Sequence, residues 1–312
     1  MAQSTIEIVR DDATLRQWVA VVDSTDVWGV PSFEDARYLR GLRAGRVDSV
    51  LKLDGAPVGA AFVEPPSPGS GGTCAVAGIW VRREHRGQGL GSALHRTLSA
   101  YAHGLGVTEL EVEAYASQED ALRYLLRRGY QEAFRHTELI LELEGVPAPE
   151  VRPPEGVRII SRTGRDDLLP GMYQVALEAI PDMPVDPPEE AGTFAEWRAS
   201  DIDRPLHTPD LTFIALHGDE VVGYAVLQRG QRGVVFHSLT GVKRAWRGRG
   251  IASALKRAQV AGAIHAGFKR MVTENVVGNA SIRHLNEVMG YRPLPGAIVF
   301  RGPLFDVAGK RL

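Results

Sequence analysis

The run Arg86-Gly87-Gln88-Gly89-Leu90-Gly91 returns 161 residues later as Arg247-Gly248-Arg249-Gly250-Ile251-Ala252. The same offset joins Val81 to Val242, Arg83 to Arg244, Leu94 to Leu255, Arg96 to Arg257 and Gly129-Tyr130 to Gly290-Tyr291. A single register held over about half of a 312-residue chain means two copies of one domain, which excludes a solenoid of short repeats. Each copy is long enough to bury a core of its own.

The order of elements repeats with the residues. Residues 50–53 and 58–63 flank Asp54-Gly55, a hairpin signal, and 213–216 and 221–227 flank His217-Gly218-Asp219. Apolar strands at 75–81 and 234–242 lead into the two glycine turns. Leu90, Leu94, Leu98, Tyr101 and Leu105 then follow at helical spacing, as do Ile251, Leu255, Ala258, Ala261 and Ile264. A strand (109–114 or 270–274), a short helix, the Gly-Tyr corner and a last strand complete each half. The pattern predicts an α+β fold with a mixed, twisted sheet flanked by helices in each copy. Residues 147–156, rich in proline, cannot continue a helix or a central strand. The linear reading therefore divides the chain into domains 1–146 and 157–312 with a linker between them.

The glycine turn is a phosphate cradle. A helix start offers unpaired N–H groups and a partial positive charge, and a diphosphate can reach them where no side chain intervenes. Gly89 and Gly91, or Gly250 and Ala252, leave that approach clear, and Arg86 and Arg247 add positive charge. Neither copy carries the Gly-Lys-Ser/Thr ending of a Walker A loop. The dinucleotide fingerprint fails too, because Ser92 and Ser253 stand where its third small residue belongs.

Composition removes further classes. A net charge of -2 argues against nucleic acid as the main partner, and no apolar run is long enough for a membrane span. Cys74 is the only cysteine, and the nine histidines show no metal-binding spacing, so no metal is expected. The expected location is the cytoplasm, and monomer and homodimer both stay open.

With these residues in place, the chain resembles the GNAT superfamily of acyl-CoA-dependent N-acetyltransferases. The signature Gln/Arg-x-x-Gly-x-Gly/Ala is matched by Arg86, Gly89 and Gly91 and again by Arg247, Gly250 and Ala252. The two-copy layout is similar to that of mycothiol synthase, which does not fix the same substrate. The resemblance implies acetyl-CoA, or another short acyl-CoA, as co-substrate. Val81, Arg86, Gly87, Gln88, Gly89, Leu90 and Gly91 would hold it in the first copy. In the second, Val242, Arg247, Gly248, Arg249, Gly250, Ile251 and Ala252 would do so, with Asn279 on the cofactor arm. The strand before each turn would pair with the pantetheine arm.

The implied reaction is attack of a small-molecule amine on the thioester. The second half carries more polar groups at the cleft positions and is read as the catalytic one, with His237 and Glu274 as candidate bases. Many members place a Tyr acid four residues before the last Gly-aromatic pair. Here Leu125 and Asn286 stand there, with Tyr124 one residue away; Asn286 could hydrogen-bond the sulfur or the substrate. The acidic stretch from Met172 to Pro209 could guide a cationic amine. Two other readings stay open: an acyl-CoA-binding sensor or scaffold, and a protein acetyltransferase acting on an N-terminus or a lysine.

Overall fold

The computed structural model describes residues 3–25, 32–66, 72–183, 190–275, 280–306 and 308–312. In chain order the elements begin with β1 (Ser4–Ile8), α1 (Asp12–Thr25), α2 (Phe33–Leu42), β2 (Val47–Leu53), β3 (Ala56–Glu64) and β4 (Cys74–Val81). There follow α3 (Leu90–Gly104), β5 (Glu109–Tyr115), α4 (Glu119–Leu126), β6 (Gln131–Arg135), β7 (Thr137–Glu142) and β8 (Val157–Ser161). Next come α5 (Leu169–Ala179), α6 (Phe194–Trp197), β9 (His207–His217), β10 (Glu220–Arg229) and β11 (Val234–Val242). The chain continues through α7 (Ile251–His265), β12 (Arg270–Asn275), α8 (Ala280–Val288), β13 (Arg292–Leu294) and β14 (Ala297–Pro303).

Two seven-stranded sheets result, ordered β1-β2-β3-β4-β5-β14-β6 and β13-β7-β12-β11-β10-β9-β8. Read from opposite ends, the two orders correspond strand for strand. Among the described residues, only β4 with β5 and β11 with β12 pair in parallel. Both hairpin signals form: Asp54 and Gly55 take positive φ between β2 and β3, as a tight primed turn requires.

The linear domain division needs correction. The compact units are Met1–His136 with Pro295–Leu312, and Thr137–Leu294. Strand β7, which the sequence reading left in the first domain, pairs with β12 and β13 of the second unit. Strand β14, at the far end of the chain, pairs with β5 and β6 of the first. Each unit thus receives one strand from the other half of the sequence. The cause is packing: Leu139, Leu141 and Leu143 are buried with Leu211, Leu227, Val235 and Met271, and Ile298 and Phe300 with Leu110 and Val112. A short apolar run marks such segments as buried strands but does not say which sheet receives them. Residues 147–156 hold no helix or strand.

Each sheet is covered on both faces. In the first unit α3 lays Leu90, Leu94, Leu98 and Ala102 on Ala75, Ala77 and Leu110. The opposite face takes Leu15, Trp18, Val21 and Val22 of α1. In the second unit Val260 and Ala263 of α7 cover one face. Met172, Val175 and Ala176 of α5 cover the other with Trp197, whose Nε1 donates to the Tyr224 hydroxyl at 3.1 Å. Burying a side chain of Leu or Val size contributes about 1.5–3 kcal/mol, so these clusters fix where each turn sits.

Candidate active site

The two glycine turns have the same backbone. Gly87 and Gly89 take φ of 77° and 83°, and Gly248 and Gly250 take 73° and 89°. Gly89 and Gly250 are the N-cap residues of α3 and α7, in the left-handed conformation that side chains avoid. A Cβ built on any of these four glycines would meet nothing within 4 Å, so open space lies above the helix start. Leu90 and Ile251 drop into the cores and anchor the helices below. Arg86 Nε donates to Val81 O and Arg247 Nε to Val242 O, both at 3.0 Å, tying each turn back to its strand. These residues fit the diphosphate cradle that the sequence implies.

Beside each turn the sheet opens. Strand β4 pairs with β5 only from Cys74 to Ala77, although both strands continue. Strand β11 pairs with β12 only from Val234 to Phe236 and runs on to Val242. The N–H and C=O groups on the open side can take an extended ligand as an added strand.

The two gaps differ. Strand β3 pairs with β4 without a register shift. Between β10 and β11 the register slips, Val226 facing Leu239 and Leu227 facing His237, so Ser238 is a bulge. His237 and Thr240 consequently share a face, although an odd separation puts residues on opposite faces of a regular strand. Thr240 Oγ1 donates to Gln259 Oε1 of α7 at 3.4 Å, and His237 Nε2 lies 2.6 Å from the Tyr291 hydroxyl.

His237 is therefore packed under α7. Burial, reinforced by the nearby Lys256 charge, holds the imidazole well below its usual range and so neutral. Glu274 is exposed near the end of β12 and stands opposite Glu138 of β7. Directly opposed residues share a face, so Glu138 adds a second carboxylate there, itself buried. Sequence reasoning missed Glu138 because it lies 136 residues away on the exchanged strand. A legible signal went unused: the 161-residue offset also joins Glu113 to Glu274.

Asn286 is fully buried, and Leu125 at the matching position is nearly so. Tyr124 packs its ring against Gly91 and donates its hydroxyl to Gly91 O at 3.0 Å, and burial raises its pKa. The Arg128 guanidinium stacks 3.7 Å above that ring and donates to Ser92 Oγ at 2.5 Å. Asn279 lies outside the described residues. Lys256 of α7, the counterpart of His95, is a buried cation that the sequence reading did not single out.

Among the described residues, several carboxylates of the acidic stretch are already engaged. Glu178 Oε2 accepts from the backbone N–H of Arg244 at 2.6 Å, and Asp182 pairs with Arg244 and Arg247. Those two arginines hold the Asp182 carboxyl far below the usual carboxylate range. Glu196 caps its own helix through Thr193, and Asp203 pairs with Arg198. Asp186 and Glu189 lie outside the described residues.

Among the described residues no group of His, Cys, Asp and Glu could hold a metal ion, and no helix is long and apolar enough to cross a membrane.

The model of the acetyltransferase (GNAT) family matches this chain twice, over residues 15–130 and 172–291. A tandem GNAT protein from the clavulanic acid biosynthesis pathway superposes with a TM-score of 0.74 at 18% identity, covering 96% of this chain and 98% of its own. A GCN5-related N-acetyltransferase from Sphaerobacter thermophilus gives 0.67 at 19% identity, with 98% of each chain covered. A glucosamine N-acetyltransferase region within a fungal multi-domain β-N-acetylglucosaminidase gives 0.63 at 13% identity, covering 96% of this chain and 38% of that one. At these identities the likeness is one of fold. No curated protein matches the chain.

Proposed function

This chain belongs to the GNAT acetyltransferase family, and from that premise we propose that it moves an acyl group from acetyl-CoA, or another short acyl-CoA, to a primary amine of a small molecule. The observation that carries this reading is the pairing, in each unit, of a left-handed glycine turn with a strand left unpaired on one side. The turn suits a diphosphate, and the open strand edge suits an extended arm ending at a thioester. The thioester supplies the acyl group; the protein's part is to hold it, to admit the amine and to take its proton.

The second unit is the half we assign to transfer. Its β11 bulge redirects backbone groups beside the gap, a device common next to active sites. Glu274 is the base in this reading. An alkyl ammonium has a pKa near 10.4, so supplying free amine at pH 7 costs about 4–5 kcal/mol, and a carboxylate beside it lowers that burden through water. His237 is not the base in this reading, because it lies under α7 against the Tyr291 hydroxyl and burial lowers its basicity. Asn286 would donate a hydrogen bond and cannot serve as an acid.

That last point favours a second reading. Neither unit has a tyrosine at the usual acid position, so one or both could bind acyl-CoA without turnover. Release of free thiol from acetyl-CoA, followed with a panel of small amines, separates the two. We expect amine-dependent release that Gly250→Trp abolishes and Gly89→Trp spares. Binding of acetyl-CoA without amine-dependent release would leave the sensor reading standing.

A further inference from the structure

Behind the gap in the second unit lies a group of polar side chains that the transfer reaction does not use. His237 is the first residue of β11 beyond its parallel pairing with β12, so it marks the closed end of the gap. Lys256 and Gln259, one turn apart on α7, are 2% and 0% exposed. Burial of Lys256 pushes its ammonium down to about 7. The Gln259 amide lies close to the His237 ring, but neither Gln259 Nε2 nor His237 Nδ1 completes a hydrogen bond of normal length. Among the described residues Lys256 makes no ion pair; the contact it has is with the Tyr291 ring, whose centroid is 5.9 Å from Nζ.

The first unit is an internal control. The offset places Val76, His95 and Leu98 at these three positions. His95 is partnered, its Nε2 2.8 Å from the Tyr130 hydroxyl, and Leu98 is buried in the apolar core. One unit thus keeps this region satisfied, while the other buries a cation that has no ion pair among the described residues and an amide donor that completes no hydrogen bond of normal length.

A buried donor without a partner costs about 1–3 kcal/mol, and a buried ammonium calls for a counter-charge. A carboxylate meets both needs, taking Lys256 Nζ as its charge partner and Gln259 Nε2 as a neutral donor. A plain acetyl group, ending in a methyl, meets neither. Resting on the acyl-CoA reading above, we propose that the second unit carries a buried carboxylate-accepting site, made by Lys256 and Gln259 beside His237 at the closed end of the β11–β12 gap, which selects acyl thioesters whose chain ends in a carboxylate.

The test is a calorimetric titration of the full chain and of Lys256→Met with coenzyme A, acetyl-CoA, succinyl-CoA and free succinate. Lys256→Met keeps the side-chain length and removes a buried charge; Gln259→Leu serves as a second variant. Succinyl-CoA is expected to bind one site per chain about ten-fold more tightly than acetyl-CoA, and both variants should narrow that margin. Equal binding of the two thioesters, or a preference that survives Lys256→Met, would overturn the proposal. Tight binding of free succinate without coenzyme A would overturn the acyl-chain assignment and leave a separate anion site. If no coenzyme A species binds, the acyl-CoA reading itself fails, and this inference with it.

Discussion

Asp182 Oδ2 sits 2.6 Å from Arg247 Nη1, so the arginine of the second glycine turn already holds a carboxylate. The same side chain takes Arg244 through Nε at 2.9 Å and Nη2 at 2.8 Å. In the first turn Arg86 bonds the carbonyl of Val81 and has no carboxylate partner among the described residues. Two turns of the same backbone geometry therefore offer a diphosphate different amounts of free charge.

Neutralising Asp182 should strengthen the second turn. Asp182→Asn is expected to raise its affinity for coenzyme A about three- to ten-fold at low salt, with less gain at high salt because the pair is exposed. Calorimetry at two ionic strengths checks this. A weaker interaction would mean instead that Asp182 is needed to order the turn.

The glycines of the turns should tolerate a methyl group sterically and resist it conformationally. Gly89→Ala and Gly250→Ala place a Cβ in open space, yet the backbone at φ of 83° and 89° is left-handed. Each should cost about 1–2 kcal/mol of stability. Affinity for coenzyme A should fall further, because the methyl stands where phosphate oxygens approach. Thermal melts beside titrations separate the two effects; affinity that falls no further than stability would argue against the cradle.

Lys256 gives the second unit a pH signature of definite sign. Burial holds its folded pKa at about 7, below the 10.5 of a lysine side chain in water. Between those two values the unfolded chain binds a proton that the folded chain has released, so this group makes stability rise with pH. Below about 7 both states are protonated and the penalty is full and constant. Lys256→Met should thus be more stable than the parent at pH 7, with an advantage that shrinks by about 1 kcal/mol per pH unit up to pH 9. His237, held neutral by burial, adds no slope across that window. Denaturant unfolding at three pH values measures it; a constant difference would count against a neutralised buried lysine.

The exchanged strands predict damage on the far side of the sequence. Leu141→Ala should cost about 2–5 kcal/mol and loosen residues 211–227 and 260–272 of the second unit, sparing 50–63 of the first. Phe300→Ala should do the reverse, at about 3–5 kcal/mol. Hydrogen exchange read peptide by peptide decides it. Leu141→Ala loosening the first unit would contradict the strand assignment.

Much of this molecule was legible without coordinates because its signals are local. A glycine at positive φ, an Asp-Gly hairpin and an apolar stripe at helical spacing are dictated by sterics within a few residues. One constant offset then repeats them into two units. The glycine turns, both central hairpins and helices α3 and α7 came through unchanged for that reason.

Other features depend on contacts that no neighbouring residues encode. Strand β7 is an apolar run buried on both faces that would suit either sheet, and the fit of Leu139, Leu141 and Leu143 against Met271 and Val235 assigns it to the second. The bulge at Ser238 arises where β11 meets β10, and it puts the half-buried His237 on the α7 side of the strand, beside the Tyr291 hydroxyl. Asp182 reached Arg247 in the same way, across 65 residues. The sequence by itself determined the repeat, the turns and the family. Tertiary packing decided which strand completes which sheet, which carboxylates meet which charges, and which of two matching positions is buried, because those outcomes follow from long-range burial.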